Sequence, residues 1–286
     1  MDIRYPIVER GGMNAKCKAA GAGLESTLKA HLDRRRQQST LRQLTTNSTE
    51  SVDFSSNDFL SLANSPALRA AFLQELHADR ASFPIGSGGS RLLDGNSAYA
   101  EKLERDIAAF HGASTGLLCN SGFDANAGLF SCLPQPGDII IYDEYIHASV
   151  HDGMKISRAA KCVPFEHNSI SAFQGVLQEF AADPAVRDGL KNVFVAVEGI
   201  YSMDGDVAPI RAIADIVDDL LPSGNGHIIV DEAHSTGVLG PDGRGLVCAL
   251  GMENRVRIRL HTFGKALACN GGMSITLSLH GSHDLC

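Results

Sequence analysis

The chain has 286 residues, 44% of them hydrophobic and 20% charged, with a formal net charge of −8. That is enough apolar material for a packed α/β core at the size where a second domain begins. An acidic balance without a basic stripe argues against a nucleic-acid partner. No apolar run reaches the roughly 20 residues of a membrane helix, and "MDIRYPIVERGG" lacks the apolar stretch of a secretory signal. The expectation is therefore a cytoplasmic protein without membrane contact. Cys17, Cys119, Cys132, Cys162, Cys248, Cys269 and Cys286 are odd in number and scattered, which fits reduced thiols rather than a disulfide or zinc framework.

Residues 1–22 are Gly- and Ala-rich without periodicity and read as a flexible extension. A helical pattern starts near Leu24, and its "RRR" at Arg34 to Arg36 reads as a solvated helix face. "SVDFSSNDFLSL" reads as a short strand entering a turn. "SPALRAAFLQELHAD" is a helix with proline near its start. Residues 23–80 thus form a helix and arm. "SAYAEKLERDIAAFHG" is an amphipathic helix closed by Gly112, and "STGLLCNSG" is a strand running into a glycine turn. "GDIIIYDEYIHASVHDGM", "KNVFVAVEGIYSMDGD" and "NGHIIVDEAHSTG" repeat an apolar strand, an acidic end and a helix. Strands apolar throughout and separated by helices predict an α/β fold, a mostly parallel sheet covered on both faces. Ligands bind at strand C-terminal ends in such sheets, and here those ends carry "YDEYIH", "VEGIYS" and "VDEAH".

Asp231 at a strand end, His234 three residues on, and Lys265 in "HTFGKALACNGG" make one chemical set. A lysine amine condenses with an aldehyde, and a carboxylate facing a pyridine nitrogen keeps it protonated, which together describe a pyridoxal phosphate site. His234 would hold the ring hydroxyl. "NSGFDANAG" turns a strand into a helix whose N–H groups suit a phosphate, with the Thr262 hydroxyl nearby. His147, leading "HASVHDGM", offers a flat ring to stack on the cofactor. Singly, each has a plainer reading: an exposed lysine, an Asp-x-x-His helix cap, a capping histidine. Their joint occurrence in order at strand ends favours the cofactor. "GSGGSR" at Gly86 to Arg91 follows no apolar strand and so is not read as a nucleotide loop.

From about Leu24 to Gly272 the sequence resembles the α-oxoamine synthases, fold-type I pyridoxal phosphate enzymes, and within them the 8-amino-7-oxononanoate synthase branch. The resemblance is carried by "FSSNDFLSL", "GSGGSRLLDGN", "YDEYIHAS", "EGIYSMDGDVAPI", "VDEAHSTGVLG" and "HTFGKALA". It implies a cofactor-binding large domain over 81–272 in which Lys265 forms the imine and moves the Cα proton. Asp231 then pairs with the ring nitrogen, His234 and Ser202 with the ring hydroxyl, and Thr262 with the phosphate. The Gly122 and Phe123 backbone meets the cofactor's phosphate end, and His147 stacks on the ring and guides the amino acid. Arg42 and Asn57 fall where the family contacts substrate. The implied reaction condenses L-alanine with a pimeloyl thioester, with loss of carbon dioxide, at the interface of a homodimer.

Family members continue into a small C-terminal domain that supplies an arginine for the carboxylate, whereas this chain stops at Cys286. Its tail, 273–286, departs from the family text, although "SITLSL" alternates like a strand. The expectation is a truncated chain that binds the cofactor with weak or no turnover. Two rival readings stay open. One is a metal-dependent hydrolase in which His147 and His151, at i and i+4, join Asp231 or His234. The other is a binding subunit without catalysis, against which the presence of Lys265 argues. Other members of the family would use glycine or serine with another acyl thioester.

Overall fold

The structure, a computed structural model, describes residues 15–44, 46, 51–78 and 86–276. The expected 1–22 extension lies outside these up to residue 14, as does the tail beyond residue 276. Two compact units divide at Phe54. In the first, helix α1 (Ala15–Gln37) begins earlier than the expected start near Leu24 and ends on Arg34, Arg35 and Arg36. All three arginines are exposed, as a solvated face requires. Leu24, Leu28 and Leu32 recur every fourth residue along one side of this helix.

The short strand expected at Ser51 to Leu62 is corrected by the structure. No strand forms over residues 51–60, which run through bends and a turn. The Asp58 carboxylate accepts from the N–H groups of Leu62 and Ala63 at 2.8 and 3.1 Å, and Ser56 Oγ accepts from the N–H of Asp58 at 3.2 Å. Side chains that bond nearby backbone in this way favour turns over a ladder. Helices α2 (Pro66–Ala78) and α3 (Ala98–Phe110) follow where expected. Ser97 caps α3, and Gly112 leaves it at φ +65°, a conformation glycine adopts without strain. Arg91, from the glycine-rich stretch, forks onto Glu104 of α3, with its Nη2 at 2.9 Å from Oε2.

Seven strands then form one sheet: β1 (Thr115–Cys119), β2 (Ile139–Asp143), β3 (Lys161–Phe165), β4 (Val193–Glu198), β5 (Gly226–Asp231), β6 (Ile258–Thr262) and β7 (Gly272–Thr276). Their spatial order is β1-β7-β6-β5-β4-β2-β3, and all pairs are parallel except those of β7. Strand β3 was not foreseen. It carries Pro164, which lacks an N–H and is tolerated because β3 is an edge.

Alternation along the strands feeds two cores. Ile139, Ile141, Val193, Val195, Ile228 and Val230 pack with helices α6 (Ile170–Ala181), α7 (Pro184–Arg187) and α8 (Ile210–Leu220). The intervening residues Ile140, Phe194, Ala196 and Ile229 pack on the other face with Phe130 and Val150. Those two residues lie on α4 (Gly122–Cys132) and α5 (Ala148–Lys155). Both faces of the sheet are thus covered, as the unbroken apolar runs require. After β5 the expected helix is replaced by tight turns leading to the short helix α9 (Leu246–Ala249). The cause is Glu232, whose buried carboxylate accepts from the N–H groups of Leu246 and Val247, both at 2.8 Å.

Helices α4 and α5 touch through Gly153, where an added Cβ would lie 2.9 Å from both Ala127 O and Phe130 Cβ. At Gly175, on the exposed side of α6, a Cβ meets nothing within 4 Å. Gly175→Ala is expected to stabilise the protein by about 0.5–1 kcal/mol. Gly153→Ala should instead destabilise it by about 1–3 kcal/mol through overpacking. Urea unfolding of the two variants separates the effects, and equal changes would refute the close packing.

Candidate active site

The tip of β5 organises the site. Asp231 is 5% exposed, and a buried carboxylate is tolerated only when donors surround it. The Nδ2 of Asn126 donates to its Oδ2 at 2.7 Å, and the N–H of Ala233 donates to its Oδ1 at 2.9 Å. Asn126 lies four residues after Gly122 on α4, so one helix face serves both ends of the site. The same amide donates to Ser149 Oγ at 3.0 Å. Ser149 Oγ in turn lies 2.7 Å from His147 Nδ1, which also accepts from the Ser149 N–H at 3.2 Å. An Nδ1 that accepts leaves the ring proton on Nε2. His147 is therefore both the N-cap of α5 and an oriented ring, tied to Asp231 through two side chains.

Lys265 follows β6, and its Nζ lies 2.7 Å from His234 Nε2. Burial lowers its pKa below the usual lysine value, opposed by the charges of Asp231 and Glu198. Burial and the charges of Lys265 and His147 push His234 down to about 4, so its imidazole is neutral and accepts from the lysine. A lysine with a weakened hold on its proton is more often present as the neutral amine, the form that attacks or accepts a proton. Glu198 ends β4 in register with Asp231. Burial, with the Asp231 charge adding and Lys265 opposing, raises its pKa to about 8. Glu198 is thereby driven towards its neutral form beside the Asp231 side chain.

Gly122 opens α4, capped by Ser121 Oγ accepting from the Asp124 N–H at 3.0 Å. A Cβ on Gly122 would fall 1.9 Å from Thr262 Oγ1, so glycine alone lets the helix start meet that hydroxyl. The first N–H groups of a helix have no intrahelical partner and suit an anion. Phe123 is exposed and its ring faces His147 edge-on at 6.2 Å. A phosphate cradle, a buried carboxylate and a lysine amine at neighbouring strand ends fit pyridoxal phosphate. Ser202 is exposed in the loop after β4. Asn57 is exposed in the second unit, and Arg42 is exposed in the first.

Sequence reasoning missed Asn126, Ser149 and Glu198. The helical spacing from Gly122 to Asn126 was the signal for the first. The other two depend on which strands become neighbours. His151, offered as a metal ligand, packs edge-on against Tyr142 at 5.3 Å. Among the described residues no group of three His, Cys, Asp or Glu side chains is arranged to hold a metal ion. Nor is any described helix long and apolar enough to cross a membrane.

The fold is that of the fold-type I pyridoxal phosphate transferases, and the residues at the strand ends fit that cofactor. The profile of aminotransferase class I and II matches residues 49–278, and the chain belongs to that family. It is 59% identical over 251 residues to 8-amino-7-oxononanoate synthase of Emericella nidulans, a match that covers 87% of this chain and 61% of that protein. It is 47% identical to the aminoacyl transferase sphA of Byssochlamys spectabilis, covering 78% and 47%. A solved structure of SPT with PLP superposes with a TM-score of 0.67 at 29% identity, covering 78% of this chain and 52% of that one. The chain thus spans about three fifths or less of these relatives.

Glu198 offers a direct check on the electrostatics. Its folded pKa lies above the unfolded one, so the acid is favoured in the folded state. Stability is fully present below about pH 4.5 and falls as pH rises towards about 8, by up to about 1.4 kcal/mol per pH unit. Glu198→Gln is expected to lose this component of the pH dependence in urea unfolding of the cofactor-free protein. Identical pH profiles for the two proteins would refute it.

Proposed function

We propose that the chain condenses L-alanine with a pimeloyl thioester, losing carbon dioxide, to give 8-amino-7-oxononanoate for biotin synthesis, as a cytoplasmic homodimer. The observation that carries this reading is the Lys265 amine held 2.7 Å from a neutral His234, with the buried Asp231 carboxylate on the adjoining strand. The likeness to the Emericella nidulans protein supports the choice of substrates.

Bound pyridoxal phosphate supplies an electron-withdrawing ring that lets an amino acid lose its Cα proton. Asp231 would accept the hydrogen bond of the ring N–H and balance its charge. The Gly122 and Phe123 N–H groups and the Thr262 hydroxyl would hold the phosphate, while His234 and Ser202 would meet the ring hydroxyl. His147, oriented by Ser149, would stack on the cofactor ring and guide the amino acid. Lys265, with its lowered pKa, takes the Cα proton of alanine as a general base. By the family resemblance alone, Asn57 and Arg42 would contact the substrates.

The purified chain with added pyridoxal phosphate is expected to show a visible absorption band that Lys265→Ala abolishes and L-alanine shifts. Asp231→Asn should weaken cofactor binding by at least about tenfold, the loss of one charge-assisted hydrogen bond. Adding pimeloyl thioester should yield 8-amino-7-oxononanoate by mass spectrometry. A colourless wild-type protein would overturn the cofactor assignment. Product from glycine or serine in place of alanine would reassign the substrate.

A further inference from the structure

A second set of charged groups lies at the tips of β2 and β3. Asp143, fully buried at the end of β2, accepts from the N–H groups of Tyr145 and Asn168, both at 2.9 Å. His167 Nδ1 lies 2.8 Å from Asp143 Oδ1, and its Nε2 lies 2.6 Å from Asp206 Oδ2. A neutral imidazole donates through one nitrogen only, so carboxylates at both require the doubly protonated ring. That ring stacks on Tyr145 at 4.3 Å and meets Tyr201 edge-on at 4.5 Å. Glu144 accepts from the His167 N–H at 3.1 Å.

Asp206 belongs to a small hairpin after β4. Ile200 and Val207 bridge antiparallel, the Tyr201 N–H donates to Asp206 O at 2.9 Å, and the Gly205 N–H donates to Tyr201 O at 3.0 Å. Gly205 turns at φ +74°. Tyr201 is buried, whereas Ser202 beside it stands exposed in the turn. Asn168 Nδ2 adds a hydrogen bond to Asp206 Oδ2. The hairpin's anchorage to β2 and β3 thus runs through the His167 imidazole, with the Asn168 amide beside it.

We propose that His167 is a positioning residue: as an imidazolium clamped between Asp143 and Asp206 it fixes the 200–207 hairpin and so sets where Ser202 meets the cofactor ring. This rests on the assignment of Ser202 made above. Partial burial opposes the charge on His167, but hydrogen bonds and charges from Asp143 and Asp206 outweigh it and raise the pKa. The clamp is therefore complete at and below the ordinary histidine pKa of about 6.5 and is lost as pH rises through the raised folded value. Asp143, Glu144 and Tyr145 face the ring from the β2 tip, and Tyr201 and Asp206 face it from the hairpin. Glu198, once ionised above about pH 8, adds its charge to the field at Tyr201.

The test has two arms. In cofactor-free protein, hydrogen-exchange protection of the Tyr201 and Gly205 amides should be about tenfold higher near pH 6 than near pH 9. In His167→Gln it should be low at both and independent of pH. In cofactor-loaded protein, His167→Gln should move the pH titration of the visible band by about one unit, in the direction that Ser202→Ala moves it. Asp206→Asn breaks the same link should His167→Gln not fold. Protection unchanged by either variant would overturn the clamp. Looser hairpin amides with an unmoved titration would overturn the effect on Ser202. A wild-type chain that takes up no cofactor would overturn the preceding assignment and the Ser202 role with it, while exchange still decides the clamp.

Discussion

The burial of one carboxylate is the constraint on which this site depends. Asp231 ends a strand enclosed on both faces, where charge is costly unless hydrogen bonds surround it. Helix α4 supplies Asn126 and the backbone after β5 supplies the Ala233 N–H. Since Asn126 also holds Ser149, and Ser149 orients His147, the starts of α4 and α5 are tied to the same charge. The close approach of these helices through Gly153 is what allows it.

Electrostatics then sort the remaining titratable groups. Glu198, beside Asp231, is driven towards its neutral form, and His234 towards a neutral acceptor for Lys265. Lys265 yields part of its hold on the proton to burial. The acid at the next position, Glu232, acts differently, binding backbone N–H groups at the start of α9 and steering the chain away from the site. Of the adjacent acids in "VDEAH", one is held by donors at the strand tip and the other shapes the turn that follows.

Much of this was legible in the chain. Unbroken apolar runs such as "VFVAV" announce a sheet buried on both faces, and their acidic ends announce a site. The pairing of Lys265 with His234 was anticipated only as membership of one site, because residues 31 apart in sequence meet through the β5–β6 neighbourhood. Strand β3 was missed because "KCVPF" contains a proline and lacks alternation. The strand expected at "SVDFSSNDFLSL" failed because Asp58 and Ser56 compete for the local backbone N–H groups. The His167 clamp joins three separate segments, and no local pattern betrays it.

The central claim is that Asp231 keeps the cofactor's ring nitrogen protonated. Nitrogen-15 NMR of the protein loaded with ring-labelled pyridoxal phosphate tests it most directly. The expected result is a protonated ring nitrogen at neutral pH that becomes unprotonated in Asp231→Asn. An unprotonated nitrogen in the wild type, or a signal indifferent to that substitution, would contradict it.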